Sequence, residues 1–189
     1  LAISILSASS GFRSLIYGIN RAYDQEETRN IFFIIFLSII LVFIFTLIII
    51  SFSLLFVFND IIIKILNNFT LISNTIDQIY RITTYLSILV IMTISIMFIN
   101  KISLAKKVSI LSLMPGSIFT VLIWIIASKL FNIYINNFSK FSNVYGSIGS
   151  IIILIIWLNI ISIVFLLGTQ INSLINKKNI KFKIFKGEK

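Results

Sequence analysis

The chain lacks cysteine and histidine, and among its 189 residues it has only one proline and seven glycines. Without thiols or imidazoles it has no disulfide, no zinc site built on those ligands and no nucleophile of either type. Charged residues are also scarce, at 12%, which is about half the share in a soluble globular domain. Motifs for nucleotide phosphates, the serine nucleophile elbow and zinc proteases are missing too. No catalytic site, no metal and no cofactor are therefore predicted.

What the chain has in excess is apolar sequence, since hydrophobic residues make up 58% of it. A transmembrane helix needs roughly 20 apolar residues, and four windows reach that length: 31–58, 81–100, 115–135 and 148–175. Backbone groups in hydrocarbon must bond within the segment, and no alternating barrel pattern occurs. The prediction is an all-α fold, a polytopic transmembrane helical bundle with four spans. Residues 1–189 form a single membrane domain, in which 1–30 is a cytoplasmic-side helix or the end of a preceding span.

Lysine and arginine in the short connections predict the orientation of the spans. Twelve lie before the first span, between the second and third spans, and in the basic tail 176–189, whereas the other two connections hold three. Both ends of the chain are therefore predicted to be cytoplasmic. The tail is interpreted as a partner of anionic lipid headgroups rather than of nucleic acid, because no nucleic-acid-binding module accompanies it.

The segment before the first span carries a polar stripe if it is helical. Its members recur at steps of three and four residues: Arg13, Tyr17, Asn20, Asp24 and Glu27. A neighbouring stripe of small residues, which favours close helix packing, comprises Ser7, Gly11, Ser14, Gly18 and Ala22. Two interpretations stay open: a cytoplasmic helix end with ion pairs Arg21–Asp24 and Glu26–Arg29, or the lining of a polar cavity. Catalysis by these acids is not predicted, since arginines surround them near the water boundary.

The third and fourth spans contain further polar positions. Pro115 and Gly116 predict a break before the third span, and a stripe recurs every four residues at Thr120, Trp124, Ser128 and Asn132. A loop is expected from Asn143 to the start of the fourth span. That span carries amides and hydroxyls in its cytoplasmic half, at Asn159, Ser162, Thr169, Gln170 and Asn172. Gly168 precedes the last of them and favours a kink or a close helix contact.

These marks together resemble the YihY/virulence factor BrkB family of bacterial inner-membrane proteins. The matching residues occur in the family's order along the whole chain: Ser9–Phe12, Asn20 with Tyr23, Glu26 with Arg29, Pro115–Ser117 with Trp124, Tyr145–Ser147 with Gly149, Trp157, and Gly168 with Gln170 and Asn172. No single motif is specific to the family, but the ordered set of motifs together with four spans is specific. One departure is Gln170, where the family commonly has an acid, so proton coupling through that position is not expected here.

The resemblance implies a six-span helical fold of the bacterial cytoplasmic membrane, of which this chain is a fragment that begins within the second span. It also implies transport or flipping of an envelope lipid or small solute. The family was once labelled ribonuclease BN, and the chain offers no residues for that reaction. The alternative is a non-transporting scaffold for envelope integrity or serum resistance. The candidate pathway or family-motif residues are Ser10, Gly11, Arg13, Asn20, Tyr23, Glu26, Arg29, Pro115, Gly116, Trp124, Tyr145, Gly146, Gly149, Trp157, Gly168, Gln170 and Asn172.

Overall fold

The computed structural model describes residues 2–68 and 74–186, and this part of the chain is helical without a strand. The elements are α1 (Ala2–Ala22), α2 (Ile31–Asn68), α3 (Asn74–Ser103), a 3-10 turn (Ile110–Leu113) and α4 (Met114–Lys186). Among the described residues, four helical segments are long and apolar enough to cross a membrane: Ile31–Ser51, Ile82–Ser103, Ile110–Ile135 and Gly149–Lys177. The predicted all-α polytopic bundle is confirmed.

The long helix α4 folds back on itself. Residues 116 and 172 would lie about 84 Å apart along a straight helix. The backbone nitrogen of Gly116 is instead 2.6 Å from Oδ1 of Asn172, and the indole nitrogen of Trp124 is 3.1 Å from the carbonyl oxygen of Ile161. The chain therefore reverses between Trp124 and Ile161, and residues 114–135 (α4a) run antiparallel to residues 149–186 (α4b). Helical turns continue through the segment from Asn143, where a loop was expected, so that expectation is wrong.

Helix α1 ends sooner than its polar stripe predicts. The amide of Gln25 donates to the carbonyl of Asn20 at 2.9 Å, and the amide of Asp24 donates to that of Arg21 at 3.0 Å. Asp24 has a φ of 49°, in the left-handed region. This pattern is a Schellman motif, in which a left-handed residue lets two amides satisfy the last helical carbonyls. Because the helix stops at Ala22, Asp24 and Glu27 do not continue the predicted helical stripe.

After this turn, α2 runs antiparallel to α1. The rings of Phe12 and Phe45 meet edge to face with centroids 5.6 Å apart. Ile16, Tyr23, Ile34 and Leu41 are buried between the elements. Residues near the end of α1 therefore lie beside the beginning of α2. Residues early in α1 lie beside the middle of the span that starts at Ile31.

Buried side chains are confined to one half of the four spans. The outermost buried residue is Leu41 in α2, Ile96 in α3, Val121 in α4a and Val164 in α4b. Beyond this level, the described residues of the four spans are half-buried or exposed. We call the half that contains the α1–α2 turn and the α3–α4 connection the packed end, and the other the open half. The main cluster at the packed end comprises Ile16, Ile19, Tyr23, Ile34, Leu37, Leu41, Ile96, Ile99, Leu104, Val108, Leu113, Val121 and Phe165.

Candidate functional site

Asn20 forms the centre of a hydrogen-bonded cluster at the packed end. Its side chain is fully buried. Its Nδ2 lies 2.9 Å from the carbonyl oxygen of Ile16, 2.9 Å from Oε2 of Glu27 and 3.0 Å from the carbonyl oxygen of Ser103. Its two amide hydrogens are therefore shared among three acceptors. Its Oδ1 accepts from the amide of Ala105 at 2.8 Å. One side chain thus joins α1, the α1–α2 turn and the end of α3.

An ion pair completes this cluster. Arg29 donates from Nε to Oε1 of Glu27 at 2.7 Å and from Nη2 to Oε2 at 2.6 Å, which is the bidentate geometry that makes arginine–carboxylate pairs strong. Nη2 also donates to the carbonyl of Ser103 at 2.7 Å. The side chains of Arg29 and Glu27 are only 17% and 7% exposed. The hydrogen bond from Arg29 lowers the pKa of Glu27, against the opposing effect of burial. We call Asn20, Glu27 and Arg29 with the Ser103 and Ala105 backbone the Asn20 cluster.

Tyr23 lies beside this cluster without a partner for its hydroxyl group. The side chain is buried at the packed end, and its hydroxyl makes no hydrogen bond to any described residue. Burial raises the pKa of Tyr23 to about 12, because the phenolate would lose its hydration. Buried hydroxyls of Ser103 and Ser173 are also unpartnered. At neutral pH, Tyr23 therefore contributes as a neutral packing group.

A second junction joins the two ends of α4. Asn172 is fully buried, and its Nδ2 donates to the carbonyl of Leu113 at 2.8 Å while its Oδ1 accepts from Gly116 at 2.6 Å. The first amides of a helix have no partner within the helix, so Asn172 supplies an acceptor from another segment. We call this arrangement the Asn172 clamp. It gives a structural reason for the Pro115-Gly116-Ser117 and Gly168-x-Gln170-x-Asn172 sequences, because the first supplies the amide of Gly116 and the second supplies the side chain of Asn172 that binds it.

Two glycines let the halves of α4 approach at the clamp. A Cβ atom on Gly116 would lie 2.0 Å from the carbonyl oxygen of Gly168. A Cβ atom on Gly168 would lie 1.9 Å from Oγ1 of Thr120 and 2.6 Å from the carbonyl oxygen of Gly116. These distances are far shorter than a van der Waals contact, so neither glycine can be replaced by a residue with a side chain unless the helices separate. The close contact expected at Gly168 is confirmed.

The same end of α4b also contacts α3. Oγ1 of Thr169 donates to Oδ1 of Asn100 at 2.8 Å, and both side chains are buried. Nδ2 of Asn100 in turn donates to the carbonyl of Ile96 at 3.0 Å. Asn100 ends a predicted span and was interpreted only as its boundary. Its role as a bridge was missed because nothing in the local sequence indicates which residue of another helix faces it.

Arg13, Asn20 and Gln170 do not converge on one space. Asn20 is buried in the packed end, whereas Gln170 is exposed and Arg13 is half-buried. An open depression of about 360 Å³ lies on the outside of the packed end, lined by Tyr17, Asn20, Arg21, Asp24, Gln25, Glu26 and Glu27. Four members of the predicted polar stripe, Tyr17, Asn20, Asp24 and Glu27, line this depression, although α1 ends at Ala22 and the last two lie beyond the helix.

The expected ion pairs are also replaced by others. Glu27 rather than Glu26 holds Arg29, and Asp24 pairs with Lys177 rather than Arg21. The helical spacing that suggested the local pairs ends at the Schellman turn, so the acids point in new directions. The small-residue stripe is only partly packed: Gly18 faces Leu166, whose Cδ2 would lie 3.1 Å from an added Cβ, whereas a Cβ on Gly11 would meet nothing within 4 Å.

The other candidate residues lie outside these junctions. Trp157 stacks on Phe131 with ring centroids 4.6 Å apart, and the Trp124 indole holds the two halves of α4 together. Gly149 is half-buried, and the exposed candidates are Ser10, Gly11, Glu26, Pro115 and Gln170. Tyr145 and Gly146 fall in the part of α4 whose side chains lie outside the described residues. Within the described residues, no group of three or more Asp and Glu side chains is placed to hold a metal ion.

A comparison with family models decides the chain's relationship, because the model for virulence factor BrkB matches residues 1–186. The chain belongs to the virulence factor BrkB family. The Asn20 cluster and the Asn172 clamp are therefore the packed-end junctions of a BrkB-family protein.

The chain is similar to two known proteins, one of which is named as a membrane protein. It is 33% identical over 179 residues to the ribonuclease-like protein YfkH of Bacillus subtilis (strain 168), covering 93% of this chain and 64% of the relative. It is 32% identical over 75 residues to the UPF0761 membrane protein PSHAa0171 of Pseudoalteromonas translucida (strain TAC 125), covering 40% of this chain and 25% of that protein. The chain thus spans less than two thirds of either relative's length. No solved structure matches it significantly.

Proposed function

We propose that this BrkB-family protein moves an amphiphilic envelope molecule across the cytoplasmic membrane without covalent chemistry. The observation that carries the proposal is that, among the described residues of the four spans, buried side chains are confined to the packed end. A bundle that is closed at one end and unpacked at the other has the form of one state of an alternating-access cycle. In the opposite state, the apolar residues of the open half would pack together while the packed end opens.

The walls of the open half favour a lipid over a hydrophilic solute. Serine hydroxyls there bond to carbonyls four residues earlier in their own helices, as Ser51, Ser87 and Ser128 do at 2.7–2.8 Å. Such hydroxyls present little unsatisfied polarity to a passing molecule. Most of the other exposed side chains described there are large and apolar, among them Phe43, Leu86, Leu122 and Leu154, although Lys129, Asn132 and Asn159 are exposed as well. Acyl chains would be accommodated between these spans, whereas a sugar or an ion would find few polar partners.

The orientation is part of the proposal. The count of lysines and arginines supports a cytoplasmic location for the packed end, which includes Arg21, Arg29 and the α3–α4 connection with Lys106 and Lys107. Lys177 at the end of α4b pairs with Asp24 there. The six lysines from residue 177 onward would contact anionic lipid headgroups. The molecule in transit would then enter the open half from the outer leaflet or leave into it.

Ribonuclease activity is not part of the proposal. Although one relative is called ribonuclease-like, Asp24 and Glu27 are engaged by Lys177 and Arg29 in this chain. General acid–base chemistry needs carboxyl groups with opposed environments and access to substrate. Metal-dependent RNA cleavage by the pure protein, abolished by Glu27→Gln, would contradict this view.

The test is a lipid-movement assay on the full-length protein in liposomes. Tail-labelled fluorescent lipids are incorporated in both leaflets, and a membrane-impermeant reductant then quenches the outer leaflet. We expect quenching to proceed beyond the outer-leaflet fraction in protein-containing vesicles and to stop at that fraction in protein-free vesicles. Release of trapped sugars at comparable rates would instead favour a solute transporter. If neither lipids nor solutes move, a scaffold for the envelope is the better description.

A further inference from the structure

The cationic side chain of Arg13 lies at membrane depth without a counter-ion among the described residues. Phe12 contacts Phe45, which is about 21 Å along α2 from Ile31 by the helical rise. The span Ile31–Ser51 has 21 residues and is therefore about 31 Å long. The neighbouring residue of α1, Arg13, thus lies well within the hydrocarbon depth. It is also level with the boundary where the spans stop burying one another, just beyond the buried pair Ile16 and Leu41.

Arg13 has no partner in the described part of the chain. Its guanidinium makes no ion pair and no hydrogen bond there, although it is half-buried. The acidic residues closest in sequence lie beyond the end of α1, and two of them are already paired, Asp24 with Lys177 and Glu27 with Arg29. A guanidinium in hydrocarbon is costly unless a polar group or water compensates it, so an intramembrane arginine without an acid calls for an anionic partner.

The surroundings of Arg13 can admit such a partner. Tyr17 is four residues after it, so its hydroxyl lies on the same side of α1, and the residue is exposed. Gly11 faces open space, which permits a close approach to the helix backbone. The exposed faces of the four spans carry large apolar residues instead. The result is a small patch of donors beside an apolar region, which fits an anionic headgroup with acyl chains.

We propose that Arg13 binds the phosphate group of the amphiphile while that molecule crosses the membrane. The guanidinium fits two phosphate oxygens with parallel N–H donors, and the Tyr17 hydroxyl would donate to a third. This inference rests on the proposed function, and it adds a substrate class: phosphate-bearing lipids rather than phosphate-free glycolipids. The headgroup would pause at Arg13 at the level where the open half meets the packed end.

The experiment compares two tail-labelled lipids in liposomes with full-length protein, phosphatidylglycerol and a phosphate-free galactosyl diacylglycerol. Arg13→Gln should slow the movement of phosphatidylglycerol between the leaflets by about tenfold or more, because the loss of a charge-assisted hydrogen bond corresponds to a factor of that size. It should leave the galactolipid rate within a factor of about two, and Arg13→Lys should retain part of the phospholipid rate. Arg21→Gln is the matched control, since Arg21 is an exposed arginine on the same helix at the packed end.

A binding measurement separates this inference from the proposed function. Phosphatidylglycerol retained by the detergent-purified protein is counted by native mass spectrometry for the wild type and for Arg13→Gln. If the wild type moves no lipid but retains phosphatidylglycerol through Arg13, the site stands and the transport proposal fails. Equal slowing of both lipids by Arg13→Gln would overturn the site. So would a lowered unfolding temperature with unchanged retention, since Arg13 would then pair with an acid elsewhere in the full-length protein.

Discussion

At the residue scale, Asn20 and Glu27 show how one buried amide and one ion pair can close a helical bundle. The Asn20 side chain satisfies backbone groups on α1 and on the α3–α4 connection. Glu27 and Arg29 neutralise each other beside it. Removing one member of such a set leaves the others buried and unpartnered, which costs more than the lost bond itself.

We expect Asn20→Ala to destabilise the protein by about 2 kcal/mol or more, because the amide of Ala105 and the carbonyl of Ser103 lose a buried partner. Unfolding of the full-length protein in mixed micelles by a denaturing detergent measures the change. Ser14→Ala is the control, since Ser14 is exposed and bonds only to its own helix. Equal stability of the two variants would show that Asn20 is not a structural centre.

Glu27 gives a prediction for pH. Arg29 lowers the folded-state pKa of Glu27 below its ordinary value, so the folded protein holds a proton on this group less tightly than the unfolded chain. The resulting stability is present above the unfolded pKa of about 4.3. It is lost as the pH falls below that value and through the folded pKa. Glu27→Gln should therefore make the stability of the folded protein depend less on pH below about pH 5. Unfolding of the wild type and the variant at a series of pH values measures this difference. If Glu27→Gln loses stability at low pH to the same extent as the wild type, the Glu27–Arg29 pair is not the source of that acid sensitivity.

At the element scale, the fold depends on how closely the two halves of α4 pack. Asn172 supplies the acceptor for the Gly116 amide, and the glycines at 116 and 168 leave no room for a side chain. Small residues generally allow this kind of backbone approach between membrane helices. The clamp thus fixes the end of the last span against the beginning of the third.

Gly168→Ala should be strongly destabilising, because its methyl group would overlap Thr120 and the Gly116 carbonyl. Gly11→Ala is the matched variant: its methyl group meets nothing within 4 Å, and alanine is favoured over glycine in a helix by about 1 kcal/mol. We expect Gly168→Ala to lower the unfolding temperature and Gly11→Ala to leave it unchanged or raised. The same response at both positions would mean that α4a and α4b do not touch as described.

At the scale of the whole molecule, the described residues of the four spans share a core at the packed end and not beyond it, so the proposed movement of a lipid would require that end to open. The Asp24–Lys177 pair bridges the α1–α2 turn and the end of α4b across the packed end. Because the chain has no cysteine, two cysteines can be introduced there without removing any native one.

Cross-linking Asp24→Cys with Lys177→Cys by a short bismaleimide should stop lipid movement in liposomes, since the packed end could no longer separate. Each single-cysteine variant treated with the same reagent is the control and should keep its rate. Lipid movement at the full rate in the cross-linked protein would show that the packed end stays closed during transport and that alternating access does not apply.

The composition and hydrophobic runs were enough to predict the fold class and the number of spans. Length and apolarity are local properties, and a bilayer accepts few other structures. Residues of the site were predicted less well. Asn20, Arg29, Gly116, Gly168 and Asn172 were named as candidates and lie in the packed-end junctions, but Ser103, Ala105 and Asn100 were missed. Two of these act through backbone groups, and a backbone group leaves no mark in the sequence.

What the sequence by itself determined was a helical membrane protein of four apolar spans with a family pattern in its polar residues. Tertiary structure alone decided which carboxylate meets Arg29, since the Schellman turn at Asp24 breaks the helical spacing on which the local pairs were predicted. It also decided that Asn20 closes the packed end while Arg13, beside the open half, meets no partner in the part of the chain that the structure describes. Both residues lie on one face of α1 in sequence, but burial depends on where the neighbouring helices end, and that is set by contacts between segments far apart in the chain.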